Sequence, residues 1–271
     1  MLKAVLFDMD GVLVDSEAFI AEAACAMFAE RHGIVVSPEE FRPFVGMGED
    51  RYLGGVAELH EVKLDLAADK ARTYQIYADV IRGRLKELPG AVAFVRRCRA
   101  EGLKTALVTS ADAVKAEANL VELGLERGDF DAFVTGLDVE RKKPYPDIYL
   151  HGARLIGVAP ANCLVVEDAV SGAQAARAAG CACLGITSSF SEAELGAAGA
   201  AMFAPDLEHA APLVFSAGRT LSADRTLSAG RTLSADAPAK PRSRAAAAAR
   251  GASKPSAKRG TSKKADNGSA K

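Results

Sequence analysis

Short runs of consecutive apolar residues recur along most of the chain, and stretches with helical periodicity separate them. A strand with one face in water alternates apolar and polar residues. These runs do not alternate, so they indicate strands that are buried on both faces. Strands of this kind that alternate with helices favour a doubly wound α/β fold with a parallel sheet. The predicted strands are residues 4–7, 105–109, 133–135, 163–166 and 183–186.

Three segments between these strands have the apolar spacing of helices and lie at residues 113–123, 147–156 and 172–179. Each is followed by a glycine, a residue that ends a helix in the left-handed conformation at little steric cost. We expect these helices to connect successive parallel strands and to form, with them, a Rossmann-like core.

The alternation is interrupted between residues 16 and 86, where the periodicity is helical and no buried strand is found. Apolar positions along 17–31 fall on one helix face, and residues 66–85 fit one further helix or two. An insertion after the first strand leaves the sheet at its carboxyl edge, where α/β folds bind ligands. We therefore predict an α/β core of residues 1–15 and 87–215 and a helical cap of residues 16–86 that can act as a lid.

Residues 216–271 differ in composition from the rest of the chain. They contain the hexapeptide Arg-Thr-Leu-Ser-Ala-Asp/Gly three times in succession, and they contain no aromatic residue. This segment has 13 basic and 3 acidic residues, so the formal net charge of -1 conceals an acidic body and a basic tail. Such a composition cannot bury enough apolar surface to offset the entropy of ordering, and we predict that the tail is disordered.

The composition also indicates which binding partners and which cellular compartment to expect. A basic tail can bind nucleic acid, but without aromatic side chains for base stacking we expect no nucleic-acid partner. No apolar stretch approaches the roughly 18 residues of a membrane span, so we expect no membrane association. Five cysteines without CxxC spacing favour reduced thiols in the cytoplasm, with an organelle or the nucleus left open. We expect a monomer.

Two carboxylates, Asp8 and Asp10, follow directly after the first predicted strand. Paired acids at a strand end suit a divalent cation together with nucleophilic or acid–base chemistry. Gly11 permits the tight turn by which the chain leaves the strand. An acidic turn without chemistry explains the same residues when they are taken alone.

Three further polar groups occur where the other predicted strands end or a helix begins. Thr109 and Ser110 follow the second strand and offer hydroxyl and backbone N–H groups to a phosphate oxygen. Lys143 precedes a helix and can neutralise a phosphoryl group. Glu167 and Asp168 end the fourth strand and supply hard oxygen ligands for Mg²⁺. Because the carboxyl ends of parallel strands share one edge, we expect all these groups to meet there.

The order of these motifs resembles that of the haloacid dehalogenase-like hydrolases, in their β-phosphoglucomutase-like phosphatase subgroup. The resemblance covers about residues 1–215, and the helical cap is similar to the family's first cap type. The motifs that carry it are Asp8-Met9-Asp10-Gly11-Val12, Thr109-Ser110, Lys143-Pro144 with Pro146-Asp147, and Glu167-Asp168 followed by Gly172.

The resemblance implies a role for each motif residue. Asp8 would be the nucleophile that forms an aspartyl-phosphate, and Asp10 the general acid and base. Thr109, Ser110 and Lys143 would hold the transferring phosphoryl group. The metal would be Mg²⁺, bound by the residues Asp8, Asp10 (through its carbonyl), Asp168 and Glu167. The implied function is a Mg²⁺-dependent phosphatase of a small phosphorylated metabolite, with a sugar phosphate as the expected substrate class.

Two departures from the subgroup bear on the reaction. Ile20 stands where β-phosphoglucomutases carry a histidine, and Arg51 comes later than their phosphate-binding arginine. A mutase must hold a second phosphate, so these changes favour a phosphatase over a hexose-phosphate mutase, which stays the alternative. Arg51 is a candidate substrate contact, or else a solvated charge. An alternative of another class is a non-catalytic module that the basic tail tethers to nucleic acid.

Overall fold

The computed structural model describes residues 1–45 and 48–215. Within them, six parallel strands form one sheet in the order β3-β2-β1-β4-β5-β6. The predicted doubly wound α/β class is therefore confirmed. The strands are β1 (Ala4–Phe7), β2 (Lys104–Val108), β3 (Ala132–Val134), β4 (Cys163–Glu167), β5 (Ala182–Ile186) and β6 (Met202–Ala204).

The first strand, β1, lies in the middle of the sheet between β2 and β4. Its four residues are buried, as expected for a strand whose two faces are both covered by helices. Val5 and Phe7 point into one hydrophobic cluster, whereas Ala4 and Leu6 point into a second cluster. Successive side chains of a strand point to opposite faces, so each face of the sheet has its own packed layer.

Helices connect the strands and cover both faces of the sheet. The three connecting helices and the helix predicted at 17–31 are present with boundaries within two residues of expectation, whereas the helix predicted from residue 66 to 85 ends at Ile81. Gly124, Gly157 and Gly180, which follow the connecting helices, have positive φ. The α-helices of the described residues are α1 (Glu17–His32), α2 (Glu49–Leu59), α3 (Leu66–Ile81), α4 (Ala91–Ala100), α5 (Ala113–Glu122), α6 (Asp147–Leu155), α7 (Val170–Ala178), α8 (Glu192–Ala198) and α9 (Leu207–Phe215).

The described part of residues 16–86 contains helices α1, α2 and α3 and no strand. These residues join the sheet through two adjacent connections, since Val14 bridges Glu87 in antiparallel fashion and the Leu88 N–H donates to the Leu13 carbonyl at 2.8 Å. Helix α3 packs on α5 of the α/β part. The division into a core and a separate cap domain stays a prediction.

The predicted disordered tail, residues 216–271, lies outside the described residues, as do Gly46 and Met47. Among the helices of residues 1–45 and 48–215, none combines the length and the hydropathy needed to cross a lipid bilayer.

Candidate active site

The predicted motif residues meet at the carboxyl edge of the sheet. Asp8 follows β1, Thr109 follows β2, Glu167 is the last residue of β4 and Asp168 comes next. One carboxylate oxygen from each of Asp8, Glu167 and Asp168 lies within 4.8 Å of the others, and all three residues are buried. Pairing of β1 with β4 produces this closeness, because Phe7 and Val166 are in register immediately before the acids.

Lys143 joins two of these carboxylates. Its Nζ donates to Asp8 Oδ1 at 2.8 Å and to Glu167 Oε1 at 2.6 Å. Burial alone would lower the pKa of the Lys143 ammonium, but the charges of Asp8 and Glu167 outweigh it and raise that pKa above its ordinary value. Lys143 is therefore a fixed positive charge beside Asp8.

Glu167 is held by four donors. Besides Lys143, the Tyr149 hydroxyl donates to Oε1 at 2.6 Å, and the backbone N–H groups of Asp168 and Ala169 donate to Oε2 at 3.1 and 3.0 Å. A carboxylate that accepts this many hydrogen bonds has a defined position. Gly172 of α7 makes room for it, because a Cβ there would come within 1.7 Å of Glu167 Oε1.

The acidic cluster has more negative charge than its lysine can balance. Of the three buried carboxylates, Asp8 and Glu167 form ion pairs with Lys143, and among the described residues no ion pair is found for Asp168. Burial raises the pKa of Asp8 to about 7 despite the opposing effect of Lys143. Burial and the charges of Glu167 and Asp8 raise the pKa of Asp168 well above its usual range. A divalent cation bound to hard oxygen ligands would remove this imbalance, so the donor set fits Mg²⁺.

Asp10 lies outside the three-carboxylate cluster and has its own partners. Lys115 Nζ of helix α5 donates to Asp10 Oδ2 at 2.7 Å, and the Ser16 hydroxyl donates to Oδ1. The Lys115 side chain is buried, and the charges of Asp10 and Glu49 raise its pKa although burial opposes this. Lys115 was not identified from the sequence. Its position next to Ala116, on the apolar face of a predicted helix, is the feature that could have marked it as a buried lysine.

Thr109 and Ser110 line the same cavity as Asp8. Thr109 is buried, and its Oγ1 accepts a hydrogen bond at 3.0 Å from the Ala111 N–H, which fixes the hydroxyl oxygen at the end of β2. Helix α5 begins at Ala113, shortly after these residues, and their role in holding a phosphate stays a prediction.

Arg51 is not among the residues that line this cavity. Its guanidinium pairs with Glu58 at 2.8 Å and lies over the Phe44 ring. Its role as a substrate contact stays a prediction. Arg42, and not Arg51, is the arginine that lines the cavity among the described residues.

The cavity has a volume of about 790 Å³ and lies between the carboxyl edge of the sheet and the helical residues 16–86. Its floor holds the acidic cluster and Lys143, whereas its other wall includes Glu17, Glu49 and Tyr52. Sequence reasoning did not identify these wall residues, because they come from separate helices whose relative placement it could not give.

Comparisons with known proteins agree with this architecture. The family model of haloacid dehalogenase-like hydrolases matches residues 2–180. "Protein SUPPRESSOR OF QUENCHING 1, chloroplastic" from Arabidopsis thaliana is 44% identical over 209 residues, which is 76% of this chain and 20% of that protein. The chain therefore matches only about a fifth of that relative's length.

Hexitol phosphatase A from Escherichia coli is 39% identical over 184 residues, which cover 66% of this chain and 80% of that protein. A crystal structure of a candidate β-phosphoglucomutase from Thermotoga maritima has a TM-score of 0.62 and 34% identity, and covers 75% of this chain and 94% of that one. The predicted enzyme class, a phosphoric monoester hydrolase, is confirmed. The chain belongs to the haloacid dehalogenase-like hydrolases, in their β-phosphoglucomutase-like phosphatase subgroup.

Proposed function

We propose that the protein is a Mg²⁺-dependent phosphatase that hydrolyses a small sugar phosphate through an aspartyl-phosphate on Asp8. The observation that carries this proposal is the placement of Asp8 between Lys143, at 2.8 Å, and the carboxylates of Glu167 and Asp168. Phosphoryl transfer depends mostly on positioning and on charge neutralisation, and this arrangement supplies groups for both.

Mg²⁺ would be held by the carboxylates of Asp8, Asp168 and Glu167 and by the carbonyl of Asp10. When bound, it neutralises charge on the phosphoryl oxygens and on the acidic cluster. The excess of buried negative charge described above supports this assignment, since Lys143 pairs with only two of the three clustered carboxylates.

The Asp8 carboxylate would attack phosphorus with Oδ2, since Lys143 occupies Oδ1. A bond forms between Asp8 and phosphorus while the bond from phosphorus to the substrate oxygen breaks. Lys143, Thr109 and the Ser110 backbone would hold the phosphoryl oxygens during this exchange. Water then attacks the same phosphorus, which releases inorganic phosphate and restores the Asp8 carboxylate.

Asp10 would move the protons of both steps. It donates a proton to the departing substrate oxygen and then accepts one from the attacking water. Lys115 and Ser16 hold both of its carboxylate oxygens, and these contacts fix the position of the carboxylate in the cavity.

The test is hydrolysis of a panel of sugar monophosphates and of p-nitrophenyl phosphate with purified protein. We expect activity that requires Mg²⁺, is lost on chelation and is abolished in Asp8→Asn. Retained activity in that variant would refute the aspartyl-phosphate. Release of inorganic phosphate, rather than an isomerised sugar phosphate formed with a bisphosphate activator, distinguishes the phosphatase from the mutase.

The compartment and the tail need separate tests. Because the Arabidopsis relative is named as chloroplastic, a plastid joins the cytoplasm as a candidate location, which imaging of the tagged full chain would decide. Salt-sensitive DNA binding that disappears when residues 216–271 are deleted would support the tethering alternative.

A further inference from the structure

The cavity wall opposite the acidic cluster carries polar side chains that the proposed chemistry does not use. Glu17 begins helix α1, while Glu49 and Tyr52 lie in the first turns of α2. All three line the cavity. Since Asp8 and Lys143 lie on the floor, this wall faces whatever part of the substrate remains after phosphoryl transfer.

Tyr52 lacks a partner for its hydroxyl group. The residue is 6% exposed, and its ring stacks on Phe41 at a centroid distance of 4.7 Å. Within the described part of the chain, its buried hydroxyl oxygen makes no hydrogen bond. An unpaired buried hydroxyl is costly, and because Tyr52 lines the cavity its hydroxyl is available to a ligand group that enters there.

The charges of the wall disfavour a second phosphate. Glu17 and Glu49 are acidic, and Lys115, which also lines the cavity, is already paired with Asp10 at 2.7 Å. Arg42 is the remaining basic side chain among the described lining residues of this wall. A phosphate here would therefore meet two acidic side chains, and whichever of them is ionised would repel it in a partly desolvated site.

Hydroxyl groups fit the same wall. A carboxylate accepts hydrogen bonds from hydroxyls, and a phenol both donates and accepts them. Burial raises the pKa of Glu49 to about 7, against the effect of Lys115, so near neutrality this side chain can act as acceptor or donor. A chain of carbons bearing several hydroxyls offers matching groups and no charge.

We propose that Glu17, Glu49 and Tyr52 form a subsite that binds the uncharged, polyhydroxylated part of the substrate and rejects a second phosphate. This inference rests on the proposed phosphatase function and names its substrate class as polyol or sugar monophosphates. These three residues would then determine specificity, while Asp8 and its neighbours carry out the transfer.

The hydroxyl part of the proposal is tested with three esters and two tyrosine variants. We compare kcat/KM for sorbitol 6-phosphate, hexyl phosphate and p-nitrophenyl phosphate in the wild type, Tyr52→Phe and Tyr74→Phe. Tyr74 is the control, because it is a tyrosine as deeply buried as Tyr52 that does not line the cavity. The wild type should prefer sorbitol 6-phosphate to hexyl phosphate by at least about tenfold, the value of one or two well-made hydrogen bonds.

Tyr52→Phe should lower kcat/KM for sorbitol 6-phosphate about tenfold more than for hexyl phosphate, whereas Tyr74→Phe should leave the ratio of the two esters unchanged. The melting temperature of Tyr52→Phe should not fall, because the hydroxyl that this change removes has no partner among the described residues of the free protein. Equal losses on both esters, or the same change in Tyr74→Phe, would overturn the role of Tyr52.

The charge part is tested with Glu17→Gln/Glu49→Gln, which keeps the shape of the wall and removes its carboxylates. Activity on glucose 1,6-bisphosphate relative to sorbitol 6-phosphate should rise about tenfold, because the repulsion is relieved. An unchanged ratio would refute the exclusion of a second phosphate. Absence of Mg²⁺-dependent hydrolysis of p-nitrophenyl phosphate would refute the proposed function itself, which is thus distinguished from failure of the subsite.

Discussion

Replacing Gly172 by alanine tests how tightly the acidic cluster is built. Gly172 lies in helix α7, and a Cβ at this position would come within 1.7 Å of Glu167 Oε1, whereas an ordinary contact is 3.4–4 Å. At a solvent-exposed position inside a helix, replacing glycine by alanine stabilises a protein by about 1 kcal/mol, because alanine has the higher helix propensity. The sign of the effect therefore depends on whether Glu167 can move.

Glu167 cannot move far without losing hydrogen bonds. Its carboxylate must shift by about 1.7 Å to reach an ordinary contact, and its four donors lie at 2.6–3.1 Å. Losing two hydrogen bonds to a charged group costs about 3–6 kcal/mol. We therefore expect Gly172→Ala to lower the free energy of unfolding by about 2–5 kcal/mol and to weaken Mg²⁺ binding.

The measurement is urea unfolding followed by far-ultraviolet circular dichroism, since the chain has no tryptophan. Mg²⁺ binding is measured by calorimetry on the same variant. Gly54→Ala is the control, because Gly54 also lies in a helix and a Cβ there would have no neighbour within 4 Å. A Gly172→Ala protein as stable as Gly54→Ala, with Mg²⁺ affinity intact, would refute the close packing of Glu167.

Three other changes test the charges of the site. The rise in melting temperature on adding Mg²⁺ should be larger at pH 8 than at pH 6. The pKa of Asp8 is about 7 instead of 3.8, so at pH 6 the metal-free carboxyl keeps a proton that opposes binding of the ion, and the stability that this protonated form contributes is lost as pH rises through 7. A Mg²⁺-induced rise in melting temperature that does not depend on pH would contradict this. Lys115→Met should lower kcat about 10–100-fold, because Asp10 loses the hydrogen bond that positions its carboxylate, and Lys115→Arg should recover part of the rate. Unchanged rates in both variants would show that Asp10 does not need this partner. Tyr149→Phe should cost about 1–3 kcal/mol in urea unfolding, because Glu167 loses a buried donor, and wild-type stability would indicate that this hydrogen bond contributes little.

Much of the sheet was predictable because its strands are buried on both faces. Continuous apolar runs identified β1 to β5, whereas the three-residue edge strand β6 (Met202–Ala204) has two partly exposed residues and too little length to give a signal. Helix α2 was not predicted separately. Its glycines, Gly54 and Gly55, weaken the helical pattern, and Gly55 is required because a Cβ there would come within 2.3 Å of the Phe44 ring.

The site was predictable where its residues follow strands directly. Asp8, Thr109 and Glu167 share one edge because parallel strands end there, so the position of each in the sequence gave its position in space. Lys115 and Tyr52 were not predictable in this way. They depend on how helices pack against the sheet, and a helical period indicates which side chains are buried without indicating what they meet.

The two adjacent connections between the sheet and residues 16–86 have a mechanical consequence. The bridge of Val14 with Glu87 and the 2.8 Å hydrogen bond from the Leu88 N–H to the Leu13 carbonyl keep the outgoing and returning chains in register. Chains paired in this way cannot slide past each other, but they can bend together about an axis that crosses both. A displacement of the wall that carries Tyr52 relative to Asp8 would therefore bend both connections together.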